Sequence, residues 1–224
     1  MQRRSEMRIR FILWVSVFLI FIGCVACRED GEVRKDYWEN GNLKSELRYK
    51  DGQLNGICTW YFANGKPEME VSYKDNRMDG CSKRWYENGK LMDECWYRNG
   101  LQDSVSYGYS LNGIKILESH YVDGVQQGDY RRWYENGQTY LEGQYLDGMM
   151  DGSWMIFYSD GQLAATAQFD KGTGVQTGYE HSGYKCKVTH YSDNVKHGKE
   201  FYYNPDGTLT RVAVYEYGEW VRDE

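Results

Sequence analysis

The chain has 224 residues, of which 16% are aromatic and 25 are glycine against only two prolines, and its formal net charge is −6. Disordered chains lack the aromatic side chains that offset backbone entropy, so this composition excludes a disordered protein and favours short strands joined by many turns. The basic residues are scattered among acidic ones, which argues against a phosphate-binding surface and therefore against a nucleic-acid partner.

The chain begins with a basic segment and an apolar run. Residues 1–10 carry four arginines and one glutamate, and the twelve residues 11–22 are apolar apart from Ser16. A bilayer-spanning helix needs about 20 apolar residues, so this run is better suited to the core of an export signal. We therefore predict an export signal at 1–27, a short tether at 28–33 and a repeat domain at 34–224.

Two overlapping motifs, FIGC (21–24) and CVAC (24–27), resemble the lipobox of bacterial lipoproteins. The resemblance implies that Cys27 or Cys24 is lipidated, giving an exported cell-envelope lipoprotein that faces the periplasm or cell surface and meets the membrane only through its lipid anchor. An uncleaved anchor with two incidental cysteines is the alternative. Residues 1–26 hold four of the 27 basic and one of the 33 acidic side chains, so their removal leaves a charge of −9, a poor match for anionic lipid.

A glycine recurs through the rest of the chain at a nearly constant interval. These anchor glycines are 24 residues apart, except for one interval of 22: Gly41, Gly65, Gly89, Gly113, Gly137, Gly161, Gly183 and Gly207. We number positions within a unit relative to its anchor, and every unit has an aromatic residue at −4 and another at +8. A fixed period in this range indicates a linear array of units, each packing on its neighbours.

Each unit reads as a β-hairpin. In WYENGKLMDECWYRNG (85–100) an Asn-Gly pair separates two apolar stretches, the strongest short-range hairpin signal, and a second turn follows, as at Asp51-Gly52. The apolar residues lie at even-numbered positions both before and after the anchor. We therefore predict a three-residue loop that ends on the glycine, a type I turn with a glycine bulge.

In this register one face of the sheet is buried and the other is wet. The aromatics at −4 lie opposite position +2 and share an apolar face with Leu47, Val71 and the aromatics at +8. The other face carries a carboxylate at +5 in five consecutive units: Glu46, Glu70, Glu94, Glu118 and Glu142. Such alternation is typical of an antiparallel sheet with one solvated face.

The register also places two cysteines together. Cys81, at −8, falls directly opposite Cys95, at +6, at a separation that a disulfide tolerates. We predict a cross-strand bond between them in the exported protein. Two small buried apolar side chains are the alternative.

An aromatic row at −3 is predicted to stand on the wet face: Trp38, Phe62, Tyr86, Tyr134 and Tyr158. Exposed aromatic rows usually indicate binding. We predict a partner-binding surface made of this row and of four glutamates, Glu70, Glu94, Glu118 and Glu142. Partial cover of both faces, by sheet twist or by a partner subunit, is the alternative.

The repeated string Y/W-Y-x-N-G-x-L…Y-x-D-G-x-x-D/N-G resembles the bacterial variant of the MORN repeat over residues 34–224. Chains of this type are commonly named YwqK-family antitoxins of toxin–antitoxin systems. The resemblance implies an all-β fold, an elongated, twisted single antiparallel sheet (a β-meander) of about eight hairpins. Where Gly172-Thr173-Gly174 shortens the seventh connection, we expect a kink or a mobile loop as far as Gly183.

No catalytic, cofactor or metal motif is predicted. GTGVQTG (172–178) lacks the spacing of a dinucleotide loop and reads as a turn, and the four histidines are dispersed, although His190 and His197 flank one turn. No serine or cysteine stands in a nucleophile motif. The sequence therefore predicts a non-catalytic scaffold that binds a protein, with neutralisation of a toxin-like effector as the role implied by the resemblance. Glycan binding at the cell surface is the alternative.

Overall fold

The computed structural model describes residues 31–224, so the predicted export signal, Cys24, Cys27 and residues 28–30 of the tether lie outside the described residues. Within this range the regular elements are all β-strands, and no helix is present that could span a bilayer. The strands are β1 (Glu32–Tyr37), β2 (Leu43–Lys50), β3 (Gln53–Leu54), β4 (Gly56–Tyr61), β5 (Pro67–Lys74), β6 (Arg77–Trp85), β7 (Leu91–Arg98), β8 (Leu101–Tyr109), β9 (Lys115–Val122), β10 (Val125–Trp133), β11 (Thr139–Leu146), β12 (Met149–Phe157), β13 (Leu163–Asp170), β14 (Thr173–Tyr179), β15 (Lys185–Ser192), β16 (Val195–Tyr203), β17 (Leu209–Glu216) and β18 (Glu219–Asp223).

The strands form one antiparallel sheet in chain order. The short strands β3 and β4 together fill one place beside β2, and β1 and β18 are the edge strands. Every other strand pairs with the strands before and after it along the sheet. The first turn of each unit contains the anchor glycine, and we call this turn the tip. The first tip joins β1 to β2 and the last joins β16 to β17. The predicted all-β meander is therefore confirmed.

The tip turns have the predicted form. In the first hairpin the Trp38 amide donates to the Asn42 carbonyl at 2.8 Å, and the Gly41 amide donates to the Trp38 carbonyl at 2.9 Å. Gly41 has a φ of 85°, a left-handed conformation that glycine adopts without a steric penalty. The three-residue loop that ends on the anchor glycine is confirmed.

The second turn of each unit is a two-residue loop in which both residues have positive φ, as at Asp123 (47°) and Gly124 (83°). This is a type I′ turn, whose twist matches that of the strands it joins. Asp75-Asn76 and Asp193-Asn194 form it without glycine, since Asn and Asp tolerate the left-handed region.

The predicted assignment of faces is wrong beyond the tip, because each hairpin carries a bulge immediately below its first pair. Trp85 lies opposite Leu91, as predicted, but Arg84 lies opposite Asp93. Position +3 is thus unpaired, and the same shift occurs in every tip hairpin of residues 31–224. A one-residue offset turns every later side chain to the opposite face.

Two faces can now be defined. The inner face carries positions −3, −5, −7, +4, +6 and +8, and includes the most deeply buried residues: Cys58, Val71, Ser119, Thr189 and Ala213. The outer face carries −4, −6, −8 and the glutamates at +5. The aromatics at −4 therefore lie on the face of the glutamates, and those at −3 lie on the buried face, the reverse of the prediction.

The predicted opposition of Cys81 and Cys95 is wrong for the same reason. Cys81 lies opposite Trp96 and Cys95 lies opposite Ser82, so the two side chains point to different faces. Both thiols are free. The bulge at Arg84/Trp85 accounts for the one-residue difference.

The aromatics at +8 cover gaps in the inner face. Tyr97 lies opposite Gly80, Tyr145 opposite Gly128, and Phe169 opposite Gly152. These glycines have positive φ and form the bulges next to the type I′ turns. An aromatic ring beside a glycine shields backbone that would otherwise be exposed, which stabilises the sheet.

The seventh connection is a regular strand. β14 pairs with β13 without a register shift, since the segment is two residues shorter than its equivalents and has no room for the bulge that they contain. The predicted mobile loop is therefore wrong. GTGVQTG lies in the turn before β14 and in the strand itself, far from the geometry of a dinucleotide loop.

Candidate functional site

Four of the five residues in the aromatic row at −3 join their hairpin to the next. The hydroxyl groups of its tyrosines and the indole N–H of its tryptophan donate to the backbone carbonyl at −4 of the following unit: Trp38 to Tyr61 at 3.0 Å, Tyr86 to Tyr109 at 2.9 Å, Tyr134 to Phe157 at 2.8 Å and Tyr158 to Tyr179 at 2.8 Å. The side chains are half-buried. Their polar atoms are thus committed within the sheet, and only their ring faces remain for a ligand.

The asparagines of the tip turns make a parallel set of contacts. The Asn88 side-chain oxygen accepts from the Lys90 amide at 2.9 Å, while its amide group donates to the Leu111 carbonyl of the next tip at 3.0 Å. Asn40, Asn64 and Asn136 donate in the same way. One asparagine therefore both shapes its own turn and binds the neighbouring unit.

At the sixth tip this contact has different chemistry. Asp160 replaces asparagine and has no side-chain donor, but its carboxylate lies 3.5 Å from Nε2 of His181 in the next tip. The His181 ring stacks on Tyr158 with a centroid distance of 3.8 Å. This histidine is therefore explained by packing between neighbouring units.

The glutamate row lies on the outer face among basic side chains. Glu46 pairs with Lys35 and Arg48, each at 2.9 Å, and these contacts, the Lys35 hydrogen bond first, hold its pKa below the usual range. Glu94 pairs with Lys83 at 3.2 Å and Glu118 with Lys115 at 2.8 Å. Much of the row is thus neutralised within the sheet, and it lies on the face opposite the aromatic row at −3.

The inner face has one segment where side chains are missing. In β8 the residues at −9, −7, −5 and −3 are Ser104, Ser106, Gly108 and Ser110, whereas β10 carries Gly128, Tyr130, Arg132 and Tyr134 at the same positions. Serine and glycine leave a depression beside larger neighbours. We call this depression the β8 trough.

The β8 trough has a volume of about 430 Å³, within the range of small ligand sites. Its floor includes Cys95, Ser106 and Gly108. A Cβ added to Gly108 would lie 3.1 Å from Cβ of Leu117, so even alanine would crowd the floor.

Tyrosines and arginines form the walls of the β8 trough. Tyr97 and Tyr121 stand on the side of the type I′ turns, Tyr130 stands level with Ser106, and Arg84 and Arg132 stand towards the hairpin tips. Burial raises the pKa of Tyr97 to about 12 and also raises the pKa of Tyr130, so both side chains remain neutral donors at pH 7.

The two arginines differ in their partners. Arg84 forms hydrogen bonds to both carboxylate oxygens of Asp93, at 2.9 and 3.0 Å from Nε. Arg132 forms no ion pair with any described residue, and its guanidinium lies 5.5 Å from the centre of the Tyr140 ring. The β8 trough thus presents one cation without a counter-ion.

Ser104 adds backbone strain at the end of the β8 trough. Its φ is 74°, and the equivalent positions of six other units hold glycine: Gly56, Gly80, Gly128, Gly152, Gly174 and Gly198. A serine in the left-handed region is uncommon, and such outliers cluster at functional sites.

A second polar cluster on the inner face is fully satisfied. Glu200 is 1% exposed and accepts from Thr189 at 2.7 Å, from Lys196 at 2.8 Å and from the Tyr202 hydroxyl. Among residues 31–224 no group of three or more His, Cys, Asp or Glu side chains is placed to hold a metal ion.

Sequence reasoning did not recognise Ser106, Gly108 or Arg132. The signal was the string SYGYS (106–110), in which every second residue is small while the residues between them are tyrosine. Once the bulge is taken into account, this alternation indicates that the inner face of β8 lacks large side chains.

Five segments of the chain match the family described as MORN repeat variant, at residues 33–51, 54–75, 78–100, 126–147 and 150–171. MORN repeats commonly serve as scaffolds for protein or membrane interaction. No curated protein matches the chain. The matched segments leave out residues 101–125, which contain β8 and β9.

Proposed function

We propose that this chain, which carries MORN repeat variants, is a non-catalytic scaffold that binds a protein partner. The proposal includes export, anchoring to the cell-envelope membrane by lipid on Cys27 or Cys24, and neutralisation of a toxin-like effector as the biological role. These last three parts rest on the N-terminal sequence and on the family resemblance.

The observation that supports protein binding best is the single-layer sheet. No described residue forms a second layer over either face, and the exposed side chains include many large apolar ones, such as Leu101 (50%), Val122 (54%) and Val125 (45%), which lie on the outer face beside the type I′ turns. Exposed apolar surface on a repeat scaffold is typical of partner recognition.

The outer face carries these exposed apolar side chains, but the inner face has features of its own that suit a partner. It contains the β8 trough and the ring faces of the aromatics at −3, whereas the glutamates of the outer face are paired with basic side chains. Of the predicted surface residues, we therefore place Tyr86 and Tyr134 near the partner and the glutamate row on the opposite side.

Affinity capture from the native cell, followed by titration of purified components, tests the scaffold function. We expect a protein that binds the full-length chain saturably with a fixed stoichiometry. If no protein from the same envelope binds saturably, the scaffold function is wrong.

The export and anchor are tested separately. We expect the full-length chain to incorporate radiolabelled fatty acid and to sediment with membranes, and expect both properties to be lost in the Cys24→Ala/Cys27→Ala double variant. Cys186→Ala, which changes a cysteine in β15, is the matched control.

Glycan binding is the competing function, since aromatic rings also stack on sugars. The hydrogen bonds that the aromatics at −3 make to neighbouring hairpins argue against it, because their hydroxyl protons are already donated and cannot also be donated to sugar hydroxyl groups. A glycan array probed with the full-length chain separates the two functions, and strong saturable signals there would favour the glycan.

A further inference from the structure

The fourth hairpin departs from its neighbours mainly on one face. At −7, −5 and −3, the fourth hairpin has serine, glycine and serine where the fifth has tyrosine, arginine and tyrosine and the third has serine, arginine and tyrosine. At −4, on the outer face, β8 keeps the aromatic of the repeat as Tyr109, and at −6 it carries Tyr107. A repeat that had lost its packing would lose side chains on both faces. The loss on one face indicates space that is held open by an otherwise intact strand.

The neighbouring strands prevent this space from closing. Tyr130 packs against Tyr145 at 5.5 Å and against Trp154 at 5.9 Å, so its ring belongs to the aromatic cluster of the following hairpins. On the other side, Arg84 is fixed by its two hydrogen bonds to Asp93. Because both walls are held from outside, neither is free to collapse onto the serine and glycine floor.

The charge at the β8 trough indicates what it would accept. The Asp93 carboxylate also lines the trough, opposite Gly108, but it is neutralised by Arg84, while Arg132 has no carboxylate partner among the described residues. A guanidinium presents a planar fork of donors that matches a carboxylate in two parallel hydrogen bonds. The tyrosine wall offers neutral hydroxyl groups and apolar ring surface beside this cation.

We propose that the β8 trough binds an acidic side chain of the protein partner, with Arg132 as its pairing cation and the floor at Ser106 and Gly108 as the space it enters. This inference rests on the proposed scaffold function and specifies its contact residue. The partner segment presents an aspartate or glutamate whose methylene groups lie against the tyrosine wall. The pair is formed at an exposed rim, so its contribution decreases with added salt.

Two pairs of variants test the proposal. Arg132→Met removes the cation, and Arg131→Met is its matched control, because Arg131 is the adjacent residue on the outer face, near Glu142. Ser106→Tyr fills the floor with the side chain that β10 carries at the same position. Its control is Gln176→Tyr, which introduces the same residue at position −7 of the seventh hairpin.

The probe is a displayed library of random dodecapeptides, selected on the immobilised full-length chain. We expect the selected peptides to share one aspartate or glutamate. Their affinity should fall about tenfold or more with Arg132→Met or Ser106→Tyr, and with replacement of that acid by its amide, since charge-assisted hydrogen bonds are lost. Arg131→Met and Gln176→Tyr should leave the affinity unchanged. Circular dichroism and the urea midpoint of each variant establish that it is folded.

Three outcomes overturn the inference: selected peptides without a shared acid, equal binding to Arg132→Met and wild type, or no selection above background. A native partner that binds Ser106→Tyr as tightly as the wild type also overturns it, yet leaves the scaffold function standing. Failure of the scaffold function differs from all of these, since then no protein binds the wild-type chain.

Discussion

The indole ring of Trp154 lies directly against the backbone of Gly143, so closely that a Cβ at position 143 would come within 2.1 Å of the ring atom Cδ2. Trp154 is 4% exposed and stands at −7 of the sixth hairpin, and Gly143 stands at +6 of the fifth. The bulk of one unit is thus matched by a missing side chain in the preceding unit. Packing between hairpins, as well as within them, specifies the inner face.

Gly143→Ala is expected to lower the free energy of unfolding by about 1–3 kcal/mol, because overpacking forces the Trp154 ring or the backbone to move. Urea denaturation measures the change. In the Gly143→Ala/Trp154→Ser double variant, which places serine where Ser82 and Ser106 stand in other units, the alanine should cost far less than in the single variant. Equal costs in both backgrounds would show that the two residues are not coupled.

Tyr134→Phe is expected to lower the free energy of unfolding by about 1 kcal/mol, since it removes the hydroxyl that donates to the Phe157 carbonyl. Thermal and urea unfolding followed by circular dichroism measure the loss. Tyr140→Phe is the control, because the Tyr140 hydroxyl makes no hydrogen bond to a described residue although its ring contacts Tyr134 at 5.1 Å. If the two variants are equally stable, the contact between hairpins contributes nothing measurable.

Glu200→Gln is expected to reduce stability at pH 7 by about 2–4 kcal/mol, since it leaves the ammonium of Lys196 without its buried partner. Burial alone would raise the pKa of Glu200, but hydrogen bonds from Lys196, Tyr202 and Thr189 hold it below its ordinary value of 4.5. A carboxylate with a lowered folded-state pKa stabilises the protein above its unfolded-state pKa. That stabilisation is lost as the pH falls through the folded-state value.

The difference between the wild type and Glu200→Gln should therefore be largest near neutral pH and should shrink as the pH falls below about 4.5. Urea titrations across this range follow it. Glu142→Gln is the control, because Glu142 lies on the outer face and its nearest cation, Arg131, is 4.0 Å away. This change should alter stability little at any pH. A constant difference between wild type and Glu200→Gln down to the acid limit would contradict the assignment.

Ser104→Gly is expected to raise the free energy of unfolding by about 0.5–1 kcal/mol, because glycine adopts the φ of 74° without steric cost. Differential scanning calorimetry detects the accompanying rise in Tm. The converse change, Gly128→Ser at the same position of the next unit, should destabilise by a similar amount. A fall in Tm with Ser104→Gly would mean that the serine hydroxyl stabilises the protein by more than the backbone strain destabilises it.

Non-reduced peptide mapping of the oxidised protein is expected to show Cys81 and Cys95 as separate thiols, because they point to opposite faces. Burial is the main cause that raises the pKa of the Cys81 thiol to about 11, so its alkylation at pH 8 should be slow. A recovered Cys81–Cys95 disulfide would contradict the register of β6 and β7.

The sequence by itself determined the repeat and its turns. Anchor glycines need a left-handed φ, and the Asp-Gly type of pair selects a type I′ turn, so both connections could be predicted from local chemistry. Local signals could not reveal the bulge below each tip, since the extra residue at +3 keeps the same spacing in every unit. Because the side-chain period of a strand is two, that single residue exchanged the faces of the −3 and −4 aromatics and separated Cys81 from Cys95. Register depends on pairing between strands, so only the tertiary structure decided which side chains share a surface. It is this pairing that places Ser106, Gly108 and Arg132 around one depression.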